Sequence, residues 1–329
     1  MTSTERNIRI NQICFGHPKE SLTLEMVPVD ILAEDLVRVR VEATNINPSD
    51  LLSIRGIGQY KHNHQTPRVP GFEAVGTVIE SNHTEFESGQ RVVVATSGTW
   101  QKYIDVLPEN LFHIPQSLDN GYACQLYINA LTAWVLTVEI AQLTRKDVVI
   151  INAGSSAIGK IFAQLSSSLG FSLIVVTSKP EDYPYSATHV LDARVDLLSQ
   201  IQKIDVPKPN VALDAIGGKA GSQLVKTVCK QGRFINYGTL SLNFYEPSFF
   251  EHVKRQNIAF STFFLRHWEG AVGRDSRRAR FTMMLDHFIE NQIQLDVDRH
   301  VRLDAALSAI ELIEDESVAL NGKIILTIE

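Results

Sequence analysis

The stretch DVVIINAGSSAIGKIFAQL carries the residues best suited to hold an anion. An apolar strand runs into a turn of Gly154, Ser155, Ser156, Ala157, Ile158 and Gly159, and a helix starts there. Such a turn points backbone N–H groups and the positive end of a helix at a pyrophosphate. Gly154 is expected to permit the tight turn and Gly159 the close packing of helix on strand. Ala157 departs from GxGxxG at the position where glycine lets the backbone approach the phosphate. The end of the next strand sets the choice of nucleotide. A carboxylate there binds the ribose hydroxyls of NAD, but this chain has Thr177, Ser178 and Lys179, with Glu181 and Asp182 only past Pro180. Two hydroxyls and a cation suit a 2′-phosphate, so the expected cofactor is NADPH. Lys179 has a second reading as a solvated loop lysine.

Other clusters are less specific. Cys14, Cys124 and Cys229 lie far apart without CxxC spacing, which excludes a four-thiolate zinc site and a disulfide framework. They read as reduced thiols of a cytoplasmic protein. His62, His64 and His83 have no companion thiolate or paired carboxylate in their loop, so no metal site is expected. Gly217–Gly218 and Gly238 each follow an apolar strand, at the carboxyl end of a parallel sheet where ligands bind. Arg266, His267, Arg274, Arg277, Arg278 and Arg280 form a basic cluster. It suits the phosphates of coenzyme A or an acidic acyl carrier protein; equally, it reads as a solvated helix start.

The elements that must position these residues fall into two patterns. Residues 8–120 are rich in short β-branched runs such as LVRVRVEATNI and QRVVVATS, punctuated by Gly, Pro, Asn and Asp, which implies a compact β-rich domain. From Asp119 to about Phe264, apolar strands alternate with helical stretches, which implies a doubly wound parallel sheet in an α/β domain. Two amphipathic helices and a short strand, GKIILTI, follow. The expected division is a catalytic domain over 1–120, a nucleotide domain over 121–265 and a return to the catalytic domain over 266–329. The 329 residues, with 44% hydrophobic and 21% charged residues, fit an ordinary soluble globular protein of two domains. A net charge of −6 argues against nucleic acid as a partner, and no apolar run is long enough to span a bilayer.

Five stretches, in order, carry a resemblance: NINPSD (45–50), GQY with PGFEAVG, GTWQKY (98–103), INALTAW (128–134) and FFLRHW (263–268). Through them the chain resembles the medium-chain dehydrogenase/reductase superfamily along essentially its whole length. It is closest to the zinc-free 2-enoyl thioester reductases and their quinone-reductase-like relatives. The resemblance implies a GroES-like catalytic domain, a Rossmann domain and a homodimer. Asn47 and Phe72 stand where zinc alcohol dehydrogenases have their Cys and His ligands, and neither binds zinc in the usual N/S site. The resemblance makes Tyr60 the proton donor and has Trp268 line the substrate pocket. It places Asn129 and Thr132 by the nicotinamide, and Gly217, Tyr237, Gly238, Phe263 and Leu265 along the cofactor cleft. Asn47 is carried with the cofactor set, although beside Asp50 it also reads as scaffold. The chain departs from the pattern in two places: GIGQY is longer than the usual G-x-Y, and PEDYPYSATHVLDA is more proline-interrupted than the usual helix. The implied activity is NADPH-dependent reduction of a C=C bond conjugated to a carbonyl, in an enoyl thioester, enone or enal. A quinone reductase and a non-catalytic cofactor-sensing relative are the alternatives.

Overall fold

Alternation in VRVRV explains the centre of the β-rich half. In the computed structural model, which describes residues 5–58, 60, 65–315 and 317–329, Val37, Val39 and Val41 are fully buried while Arg40 is exposed. Arg38 is also buried, and its guanidinium is satisfied by both oxygens of Asp105, at 2.7 Å each, and by Glu80 at 3.3 Å. The chain divides into two compact units, one of residues up to Ile128 together with Leu295–Glu329, the other of Asn129–Gln294.

In unit 1 a seven-stranded sheet contains the long strand Val37–Asn45. One edge of this strand pairs antiparallel with Ala74–Ser81, in a register that sets Thr44 against Ala74. Its other edge pairs first with Tyr103–Val106 and then with the C-terminal strand Lys323–Thr327, where Asn45 lies against Ile325. Continuing these two registers places Asn45 opposite Glu73 and Asn47 opposite Lys323. Because side chains alternate faces along a strand, that register alone gathers four polar residues at one end of the sheet.

Unit 2 is a six-stranded parallel sheet. Its order is His189–Asp192, Ser172–Thr177, Val148–Ile151, Val211–Asp214, Arg233–Asn236, Ala259–Thr262. Numbered within the unit this is 3-2-1-4-5-6, the Rossmann order, whose ligand crevice opens at the carboxyl ends where the order reverses. Strand Val148–Ile151 is buried at every position, as a central parallel strand covered on both faces must be.

The return to unit 1 comes at Leu295, later than the 266 expected from sequence. Helices Leu265–Val272 and Arg274–Glu290 stay with unit 2, tied there by side chains. Trp268 donates to Glu139 at 3.2 Å, Arg280 pairs with Glu139 at 2.5 Å, and His287 sits 2.9 Å from Ser168 Oγ and 4.9 Å, ring to ring, from Trp134. Among the described residues no helix is long and apolar enough to cross a membrane.

Candidate active site

Unit 1 holds Tyr60 and a buried polar cluster. Helix Pro48–Arg55 starts with proline at its first position and is closed by Gly56 in the left-handed conformation. Tyr60 follows; it is buried, and its ring centroid lies 5.9 Å from that of Phe72, tilted by 31°. Gln59 and Lys61–His64 of the same loop, including His62 and His64, lie outside the described residues. The turn that delivers Phe72 and Glu73 requires Gly71. Its φ is +94°, and a Cβ there would fall 2.3 Å from Trp100 Cδ1.

Asn47 uses its backbone N–H to cap its own helix through Asp50 Oδ2 at 2.7 Å. Its side-chain amide is buried. Nδ2 donates to Asn45 Oδ1 and to Glu73 Oε1, both at 2.8 Å, while Oδ1 accepts from Lys323 Nζ at 2.7 Å. Asn45 Nδ2 also donates to Glu73 Oε1, at 3.0 Å. The other oxygen of Glu73 accepts from the backbone N–H groups of Tyr127, at 3.1 Å, and Ile128, at 2.9 Å. Those amides belong to a π-helical turn, Leu126–Leu131, a form often found at functional sites.

Burial governs the titration of this cluster. Asp50, with Oδ1 unpartnered among the described residues, is pushed up to about 7, chiefly by burial and secondarily by the charge of Glu73. Burial likewise raises Glu73, against the pull of the Ile128 N–H, the Asn47 and Asn45 amides and the Lys323 charge, and pushes the Cys124 thiol well up. The Lys323 ammonium is pushed down by burial, although Glu73 and Asp50 favour its charged form.

Unit 2 holds the Gly/Ser turn that the sequence suggested for an anion. Ser156 caps helix Ala157–Leu169, accepting from Gly159 N at 3.1 Å. The left-handed residue of the turn is Ala153, with φ of 51°, rather than Gly154. Gly154 is needed for lack of room instead: a Cβ there would lie 2.1 Å from Val175 Cγ1. Ser155 and Thr177, singled out separately in the sequence, share a hydrogen bond of 2.6 Å, and Thr177 Oγ1 accepts from Lys179 N at 3.2 Å. The side chains of Ser178 and Lys179 are exposed beside this bond.

Across the switch point, Asp214 gathers the segments around Gly217, Tyr237 and Gly238. It ends strand Val211–Asp214, is fully buried, and its Oδ1 accepts from Asn152 Nδ2 at 2.6 Å and from the N–H groups of Ile216 and Gly217 at 3.0 Å each. Oδ2 accepts from Asn236 Nδ2 at 3.1 Å and Tyr245 OH at 2.5 Å. Tyr237 donates its N–H to the Asp214 carbonyl at 2.8 Å, and burial with the nearby Asp214 charge pushes its phenol up. Gly238 O accepts from Asn236 at 2.7 Å, and Phe263 N–H donates to Asn236 O at 2.8 Å. Leu265, Trp268, Asn129 and Thr132 are buried within this unit.

Sequence reasoning missed Glu73, Lys323, Asp214, Asn152, Asn236 and Tyr245. For Glu73 and Asp214 a signal existed: a lone carboxylate at the end of an apolar strand must find donors once buried. Lys323 carried no such signal.

Residues 33–116 match the family described as alcohol dehydrogenase GroES-like domain, and residues 185–326 the zinc-binding dehydrogenase family. Among curated proteins, the mitochondrial enoyl-[acyl-carrier-protein] reductase of Homo sapiens is 29% identical over 71% of this chain, a match spanning 66% of that protein. The Dictyostelium discoideum enzyme of the same name is 25% identical over 91% of this chain and 88% of its own length. A solved structure from Bacillus thuringiensis, provisionally named an NADPH:quinone reductase, is 32% identical, covers 99% of this chain and 100% of its own, and superposes with a TM-score of 0.91. The chain therefore belongs to the medium-chain dehydrogenase/reductase superfamily of oxidoreductases, among its enoyl reductase and quinone oxidoreductase-like members.

Proposed function

We propose that this oxidoreductase reduces a C=C bond conjugated to a carbonyl, with NADPH as cofactor and without a catalytic zinc ion. When bound, the dihydronicotinamide supplies a hydride, which adds to the β-carbon and leaves enolate charge on the carbonyl oxygen. The Tyr60 phenol then donates a hydrogen bond to that oxygen or a proton to the α-carbon. The observation that carries this reading is the pairing of Tyr60 with Phe72 beside an Asn47 amide already committed to Asn45, Glu73 and Lys323. Phe72 offers no donor atom, and the Asn47 oxygen faces an ammonium group, so these positions do not suit a zinc ion. Ser155, Thr177, Ser178 and Lys179 would receive the 2′-phosphate, and the Gly154–Gly159 turn the pyrophosphate.

The preferred substrates are enoyl thioesters, by likeness to the enoyl-[acyl-carrier-protein] reductases. The full-length match to the Bacillus thuringiensis structure favours quinones as the second reading. Within the basic cluster, Arg277 is buried and Arg280 is paired with Glu139, so helix packing occupies those two before any acyl carrier or coenzyme A is considered. A homodimer through the edge strand Ala259–Thr262 is part of the proposal: every residue of this strand is exposed, as is nearby Phe244.

NADPH and NADH oxidation against crotonyl-CoA, a long enoyl-CoA, an enone, an enal and a quinone tests the reading. Turnover of the enoyl-CoAs with a lower KM for NADPH than for NADH is expected; turnover of the quinone alone overturns it. Tyr60→Phe is expected to lower kcat on an enoyl thioester about 10²-fold or more with little change in KM for NADPH. Unchanged turnover removes Tyr60 from the mechanism.

A further inference from the structure

Lys323 is a lysine whose ammonium is turned into the catalytic unit. It donates to Asn47 Oδ1 at 2.7 Å and to Ile46 O at 3.3 Å. The same Asn47 amide donates from Nδ2 to Glu73 Oε1 at 2.8 Å. A cation on the oxygen side of an amide polarises it and strengthens the donation from its nitrogen side. The positive charge thus reaches Glu73 through one planar group.

Glu73 has a particular need for it. Its carboxylate accepts from four N–H donors, on Asn45, Asn47, Tyr127 and Ile128. A protonated carboxyl would bring a donor of its own into this set and displace at least one of the four. Two of them are the backbone amides of Tyr127 and Ile128, where the chain leaves unit 1; Asn129 is the first residue of unit 2.

We propose that Lys323 is a positioning residue: through the Asn47 amide it keeps Glu73 seated as a carboxylate on the Tyr127 and Ile128 amides, and so fixes the turn that leads into Asn129 and Thr132. Its bearing on catalysis rests on the proposed role of Asn129 and Thr132 as cofactor residues. Among the described residues, the charged and titratable groups coupled to Glu73 are Lys323, Asp50 and Cys124, with Arg68 acting on Asp50. Of these only Lys323 and Arg68 are cations, and only Lys323 is linked to Glu73 through a shared amide.

The test is amide hydrogen exchange on the full chain, corrected for intrinsic rates, with NADPH affinity followed by fluorescence. Lys323→Met is expected to lose at least tenfold protection at Tyr127 and Ile128, while the sheet amides of Val92–Val94 keep theirs. Without the cation Glu73 protonates more readily, so the loss is expected to be larger at pH 6 than at pH 9. Lys323→Met combined with Glu73→Gln is expected to show no such pH dependence. Lys323→Gln keeps a donor toward Asn47 without the charge; it should give an intermediate loss and serves if Lys323→Met does not fold. Unchanged protection in either single variant overturns the proposal, as does a loss spread equally over the sheet or equal at both pH values. Where protection is lost, weaker NADPH binding by the same variant supports the link to the cofactor. Failure of the wild-type chain to bind NADPH would instead sink the reading of Asn129 and Thr132, with the exchange result still deciding the role of Lys323.

Discussion

Two buried carboxylates organise this molecule, and they do so by different means. Glu73 in unit 1 accepts from two side-chain amides and two backbone N–H groups, with a lysine ammonium one amide away. Asp214 in unit 2 accepts from five neutral donors, and no cation is among them. Both stand at the end of a strand and tie together segments distant in sequence. The first arrangement depends on charge, and Asp50 beside it titrates near neutrality. The second depends on donor count and geometry. A carboxylate can therefore be kept in a protein interior either by balancing its charge or by saturating its lone pairs.

Removing the Asp214 carboxylate tests the second mode most severely. Asp214→Ala strands five donors in the buried end of the sheet, and at about 1 kcal/mol for each lost bond it should cost roughly 5 kcal/mol. Urea unfolding followed by fluorescence measures this; a cost below ~1 kcal/mol would mean that water replaces the carboxylate at no penalty.

Asp50→Asn probes the charge-dependent mode. In the folded chain Asp50 titrates at about 7, above its ordinary value of 3.8. Between these values the folded chain holds a proton that the unfolded chain has lost, so this group's contribution to stability falls as pH rises from about 4 to about 7. A tenfold change in proton affinity corresponds to about 1.4 kcal/mol, so the loss that Asp50→Asn removes is at most ~4 kcal/mol. Relative to wild type the variant should thus gain stability between pH 5 and pH 8, as read from urea midpoints. A constant difference across that range would show that Asp50 is not titrating there.

Tyr245→Phe takes away a single donor, the 2.5 Å bond to Asp214 Oδ2. With four donors left, the expected cost is about 1 kcal/mol, together with a raised KM for NADPH and a smaller change in kcat. If it equals the cost of Asp214→Ala, Tyr245 carries the whole network and the saturation account fails.

Part of this was legible in the sequence. Alternating apolar strands and helices announced the parallel sheet, and the Gly/Ser turn and Thr177, singled out separately, are joined by the Ser155–Thr177 hydrogen bond. Partnerships set by register were not legible. Asn47 meets Lys323 only because Asn45 pairs with Ile325, a relation between strands far apart in the chain. The place where the chain returns to unit 1 was hidden for a similar reason. Amphipathic patterning in Arg274–Glu290 tells that a helix has a face to bury, not against which unit, and His287 and Arg280 bury it against unit 2. The turn at 153–159 held a subtler lesson, since the left-handed residue is an alanine and the glycine is there for space.

Asn47 also bears on how readily a metal site could be introduced here. Cysteine at that position would supply a soft ligand but would remove both amide donors and the acceptor that Lys323 uses. Recovering an imidazole would require a further change at Phe72, and clearing the ammonium a third at Lys323. Cysteine at 47 alone, or loss of the ammonium at 323 alone, would leave the buried Glu73 network with fewer partners than it has now, so single substitutions toward a metal site carry a folding cost before any ligand set is complete.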